Sequence, residues 1–213
     1  MSVTIDFVAT TRIPEFELDE LEGFFLLRWK NPPPFTDDDL LELFALNDGL
    51  QFEMDGDGSL IIMSPTGLKA GFRNSQLTAQ LTMWANRDGT GVASDSSGEM
   101  RFPNRAMRAP DAAWFSHTRL QAVSEAELER IPLVVPDFVV ELRSKSDRVR
   151  RLQAKMEEYI ANGVRLGWLL DPNTRTAYVY RPGVAVQVFE NAATLDASPE
   201  LPGFVLDLAP IWA

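Results

Sequence analysis

The run Phe138-Val139-Val140-Glu141-Leu142 constrains the fold of this chain more than any other stretch. Apolar residues packed this densely over so short a span read as a central strand covered on both faces, with helices above and below it. A bare carboxylate is costly in such a place, because a charge taken out of water needs a partner. Glu141 therefore either reaches solvent at a sheet edge or meets a cation, and the second alternative makes it a candidate site residue.

The neighbouring segments supply the rest of an α/β domain. After the strand at 137–143, Ser146 reads as the N-cap of a helix reaching about Ala161 and closed by Asn162-Gly163. Val149, Leu152, Met156, Tyr159 and Ile160 form its apolar stripe, with Arg148 and Lys155 on the flank. Leu166 to Leu170 is a second buried strand, and Thr176–Tyr180 with Ala185–Phe189 forms a hairpin around Arg181-Pro182-Gly183. Upstream, Thr36 caps a short helix with Leu40, Leu41, Leu43 and Phe44 on its apolar face and Gly49 as its stop. Gln51–Glu53 and Leu60–Met63 flank the turn Asp55-Gly56-Asp57-Gly58, and Pro65 and Gly67 end that hairpin. The spacing of Phe72, Leu77, Leu81 and Trp84 predicts a core helix from about Ala70 to Asn86, followed by strands at 91–102 and 108–115 and a helical connection at 116–131. This order predicts a central mixed β-sheet flanked by helices. The proline run 32–34 divides the chain into an acidic N-terminal extension, 1–35, and one domain, 36–213.

Composition narrows the chemistry. The 213 residues, 45% hydrophobic, suffice for one core. With no cysteine and the single histidine His117, thiol nucleophiles, Cys-ligated zinc and histidine-rich metal sites are excluded. The N-terminus lacks the pattern of a signal peptide and no apolar run approaches the roughly 20 residues of a membrane helix, so a cytoplasmic protein without membrane contact is expected. The net charge of −11 sits entirely in residues 1–60, which hold 14 acidic and three basic side chains. The remainder carries 17 of each sign, and residues 143–155 hold six basic residues against Asp147 alone. That run reads either as a solvated helix face or as a focused patch for nucleic acid.

Pro110-Asp111, Glu141 and Lys155 can be assembled into one site. Two carboxylates on adjacent strands suit a hard divalent cation, which lowers the pKa of a bound water and offsets charge on a phosphodiester. Singly, Asp111 reads as a turn residue and Lys155 as a surface cation. Trp84, Trp114 and Trp168 read as core, and His117 as a helix-start residue.

Pro110-Asp111 followed by Glu141-x-Arg143 resembles the signature of the PD-(D/E)XK nuclease superfamily. Four longer stretches resemble its Uma-two family of restriction endonucleases: Ile61 to Gly67, Pro136 to Ser144, Lys155 to Gly163 without a match at Ala161, and Gly167 to Pro172. The resemblance spans about residues 36–212. It implies a restriction endonuclease-like core, a Mg²⁺ or Mn²⁺ cofactor, DNA as partner, and hydrolysis of phosphodiester bonds. Asp111 and Glu141 fall on the metal-binding acids, and Glu53 on a further acid of the first hairpin. Where the superfamily carries a lysine this chain carries Arg143, a poorer proton partner, so the resemblance leaves Lys155 or Arg143 as the catalytic cation. An impaired nuclease fold that binds nucleic acid or protein is the alternative, and a two-carboxylate glycoside hydrolase is a third reading. DNA against RNA stays open, as does a homodimer.

Overall fold

The structure, a computed structural model, describes residues 5, 16–21, 24–30, 36–47, 50–63, 67–145 and 147–213. Strands are numbered along the chain. In spatial order the first sheet is β1 (Phe16–Leu21), β2 (Phe24–Trp29), β4 (Leu60–Met63), β3 (Gln51–Met54), β7 (Met107–Arg108) and β6 (Met100–Arg101), antiparallel throughout. The second is β12 (Gln187–Glu190), β11 (Thr176–Tyr180), β10 (Leu166–Asp171), β9 (Phe138–Leu142), β8 (Ala112–Ser116) and β5 (Gly91–Asp95). Only β9 and β10 run parallel there. A hairpin of β13 (Thr194–Asp196) and β14 (Val205–Asp207) stands apart. The helices are α1 (Asp37–Leu46), α2 (Leu68–Asp88), α3 (His117–Leu120), α4 (Glu125–Leu128), α5 (Val149–Ala161) and α6 (Ala209–Trp212).

All five residues of β9 are buried, as its composition predicts. Phe138, Val140 and Leu142 pack with Leu77, Leu81 and Trp84 of α2 and with Trp168 and Leu170 of β10. Val139 points the other way, onto Leu152, Met156 and Tyr159 of α5. Side chains alternate along a strand, so Glu141 shares the α5 face with Val139. Parallel neighbours need a crossover, and α5 is the crossover between β9 and β10. Gly167 lets it settle closely: a Cβ there would lie 2.4 Å from Met156 Cε.

Thr36 caps α1 as expected, through a reciprocal capping box with Asp39. Leu40 and Leu43 then join Leu27, Phe52, Leu60 and Ile62 in a separate core under the first sheet. Gly49, Pro65 and Ser146, expected as stop, breaker and cap, lie outside the described residues; Arg148 is the N-cap of α5. The three tryptophans are core, at 0 to 5% exposure.

Four expectations are corrected. The segments 91–102 and 108–115 are each two strands, and their halves belong to different sheets. Asp95 turns the first back, accepting the N–H of Ser97 and, at its carbonyl, that of Gly98. Pro110, with no N–H to donate, interrupts the second. The connection 116–131 holds only two helices of four residues, each started by a serine cap, Ser116 and Ser124. Phe72 is 61% exposed because the buried residues of α2 begin at Leu77, beyond its turn. Residues 16–21 and 24–29, assigned to the extension, are two strands of the first sheet, with β2 paired to β4 over Phe24–Leu27. The strand-like alternation of Phe24 to Arg28 is the sequence signal of β2, while the acidity of Phe16–Leu21 masks β1.

Candidate functional site

The chain crosses from the first sheet to the second at Ala109-Pro110, and this crossing builds the site. In the first sheet Leu27, Phe52 and Ile62 face α1, so Phe24, Glu53 and Ile61 alternate to the opposite face. There they meet α5. Glu53, Asp55, Ile61 and Arg108 line a cavity of about 280 Å³ with Arg151, Ala154, Lys155 and Glu158, the latter four on consecutive turns of α5.

Lys155 ties the two sheets together. Its Nζ lies 2.7 Å from Glu53 Oε1 and 2.8 Å from Glu141 Oε1. The Tyr159 hydroxyl donates to the same Glu141 oxygen at 2.8 Å, and Glu53 Oε1 also accepts the N–H of Ala109 at 3.2 Å. Glu53 and Glu141 are only 1% and 5% exposed. Asp111 directly precedes β8, where Ala112 stands opposite Val140, so the same register brings it beside Glu141. Its Oδ2 accepts the N–H of Leu142 at 2.7 Å. Asp111 shares the parity of Ala113, which packs in the α5-side core, so both carboxylates lie on one face of the sheet.

The electrostatics of these groups differ. Burial pushes the Asp111 carboxyl up to about 7, and the negative charge of Glu141 adds to the rise. Burial likewise raises Glu141, with Glu53 adding to it and Lys155 opposing. Glu53 is subject to the same burial, yet Lys155 and Arg108 outweigh it and hold its carboxyl below the ordinary range. Lys155 is held up in its turn: burial disfavours its charge, and Glu141 and Glu53 more than compensate. Glu99, in the turn before β6, is pushed up to about 7 by burial and by Glu53.

A second cluster closes the far end of the cavity. Arg108 donates to Glu158 Oε2 through Nε and Nη2 at 2.8 and 2.6 Å, to Asp55 Oδ1 at 2.6 Å and to the Met54 carbonyl at 3.1 Å. Its Nη1 lies 3.7 Å from Glu53 Oε2. This fork clamps the β3–β4 hairpin to α5. Sequence reasoning missed Arg108, Asp55, Glu158 and the polar role of Tyr159. Their partners lie 18 to 54 positions away, beyond any local spacing rule, and the period of α5 shows Tyr159 only as an apolar stripe residue.

Of the two candidate cations, the structure brings Lys155 to the acids. Arg143 is engaged elsewhere, with Nη1 2.7 Å from Asp171 Oδ2 and Nε donating to the Asp147 carbonyl at 3.0 Å. Among the described residues no three Asp, Glu, His or Cys side chains form a group able to hold a metal ion. Asp111 and Glu141 are instead one neighbouring pair, with Lys155 between Glu141 and Glu53. Such a pair of hard oxygen donors fits Mg²⁺ or Mn²⁺, which takes one or two carboxylates and fills its other positions from water and substrate. A cation there would also offset the two causes that raise the Asp111 pKa, burial first and the charge of Glu141 second. His117 starts α3.

A mixed sheet with helices on both faces, and acids converging on the face of the crossover helix, defines a domain of the restriction endonuclease-like fold. Residues 37–209 match the model of the Uma2 family, described as "putative restriction endonuclease", and the chain belongs to that family. Among solved structures it is similar to a putative nuclease belonging to DUF820 from Anabaena variabilis ATCC 29413. The TM-score is 0.67 at 20% identity, covering 84% of this chain and 98% of that one. No curated protein matches the chain. No helix among the described residues is long and apolar enough to cross a membrane.

Proposed function

We propose that this chain is a divalent-metal-dependent endonuclease that hydrolyses phosphodiester bonds of DNA, with Asp111 and Glu141 as the residues that would hold Mg²⁺ or Mn²⁺. The observation that carries the reading is the pairing of the buried Glu141 and the half-buried Asp111 carboxylates on neighbouring strands, on one sheet face, beside the ammonium of Lys155. Membership of a family described as a putative restriction endonuclease supports it, as does the likeness to a putative nuclease. A bound divalent ion supplies a lowered pKa for water and charge compensation on the phosphate.

The chain's own residues prepare the site. Tyr159 and Lys155 fix the orientation of Glu141, and the Leu142 N–H fixes that of Asp111. Lys155 places a positive charge where a phosphate oxygen develops negative charge. Glu53 anchors Lys155 from the opposite sheet and completes the acidic set without adjoining Asp111 in a three-acid cluster. The exposed groups of the run 143–155 add attraction for a polyanion.

The decisive assay is nicking of supercoiled plasmid in Mg²⁺ or Mn²⁺, with and without EDTA. The wild-type chain should cleave only with metal, and Asp111→Ala and Glu141→Ala should not cleave; full activity in both variants rejects the assignment. DNA binding by the wild type with no cleavage under any metal would leave the chain as a binding module on a nuclease fold.

A further inference from the structure

Three cations line the cavity beside the acids, and they are not equivalent. Arg108 is shared among Glu158, Asp55 and the Met54 carbonyl, and Lys155 between Glu53 and Glu141. The Arg151 side chain makes no hydrogen bond or ion pair with any described residue; its guanidinium lies over the Phe24 ring, 3.4 Å from the centroid. The carboxylates of the cavity are already matched, Glu53 by Lys155, and Asp55 and Glu158 by Arg108. Nearby Asp147 accepts the N–H of Ser144. Burial lowers the Arg151 pKa, while Glu53, Asp147 and Asp55 favour its charge from a distance.

The position on α5 sharpens the contrast. Positive side chains in the first turn of a helix oppose its dipole, yet Arg150 and Arg151 stand there with no acidic residue in that turn. The positive end of the helix dipole and the guanidinium both favour an anion. An arginine stacked on an aromatic ring keeps its planar donors preorganised, an arrangement suited to bidentate capture of phosphate. Arg151 and Lys155 are four residues apart, hence neighbours on one helix face.

Resting on the nuclease reading above, we infer that Arg151, held flat on Phe24, binds a backbone phosphate of the DNA strand next to the one that lies at Lys155. The inference also gives β2 a place in the site: the second strand of the acidic segment carries the ring that positions the arginine. Arg151 reads no base, so its contribution is uniform across sequences.

The test is binding of a fluorescent DNA duplex in EDTA, followed by anisotropy across a salt series, with plasmid cleavage in Mn²⁺ alongside. Arg151→Ala should weaken binding about tenfold and reduce the slope of log affinity against log salt by roughly 0.9, the share of one phosphate. Phe24→Leu, which leaves the charge in place, should keep the slope and weaken binding less. Arg151→Gln retains the stem and replaces the alanine variant if that one does not fold. Wild-type binding together with unchanged affinity and slope in the Arg151 variants overturns this inference alone. A wild-type chain that neither binds nor cleaves DNA overturns the nuclease reading and this inference with it.

Discussion

Two charge clusters flank Glu53, and they have opposite characters. Around Arg108 every strong donor finds an acceptor, and the group joins two elements that otherwise pack through few side chains. Around Glu141 two buried carboxylates, Glu141 and Glu53, share one ammonium with the half-buried Asp111 beside them, and Glu141 and Asp111 are raised in pKa. A balanced cluster is a fastening. One left short of positive charge is poised to take a cation or a proton, and such imbalance gathers at functional sites. The difference teaches that burial alone does not mark the site, since Arg108 and Glu141 are equally buried.

The comparison breaks if the two clusters respond alike. The largest effect is expected on catalysis: Asp111→Ala or Glu141→Ala should lower metal-dependent plasmid cleavage by at least about 10²-fold, in line with the loss of a principal charge-stabilising group. Circular dichroism should show both variants folded.

Arg108→Met should act instead on stability, because it removes the buried donor shared by the partly exposed Glu158 and Asp55 and one of the two cations beside buried Glu53. A loss of about 2 to 3 kcal/mol in urea unfolding is expected. By thermal melting the fall is on the order of 10 °C. A loss under about 1 kcal/mol would show that the fork is not a fastening.

Stability should also depend on pH through Asp111. Its folded pKa, about 7, is raised above the ordinary 3.8, so the native state binds more protons than the unfolded chain between those values. Stability from this group is full below about 4 and declines as pH rises through 7. Asp111→Asn, which still offers an oxygen to the Leu142 N–H, should flatten that decline and melt above the wild type at pH 8. Equal melting temperatures at pH 8 would mean that Asp111 is ionised without cost.

The smallest effect separates the two candidate cations. Arg143→Lys keeps the charge beside Asp171 and should cost about 1 kcal/mol by loss of one hydrogen bond. Arg143→Met should retain more cleavage activity than Lys155→Met, and the reverse order would return the catalytic role to Arg143.

Much of this was legible in the sequence because it depends on local pattern. The five residues around Glu141 announced a covered central strand, the stripe Leu152, Met156, Tyr159 announced the helix that covers it, and Thr36 announced its own cap. A glutamate embedded in that strand needed a partner on energetic grounds, which selected the site before any geometry was known. Motif resemblance added Asp111 and Glu53. The period of a strand or helix and the cost of burying a charge act over a few residues, so one chain suffices to read them.

Tertiary structure alone decided which partners those residues meet. It divided 91–102 and 108–115 between two sheets, drew the apolar strand β2 into the first of them, and chose Lys155 over Arg143 as the cation among the acids. It also made Arg108 and Glu158 a clamp and set Arg151 on Phe24. The physical reason is the same in each case: these contacts join segments tens of residues apart, and their energy depends on distance and burial that exist only once the two sheets and α5 are packed together.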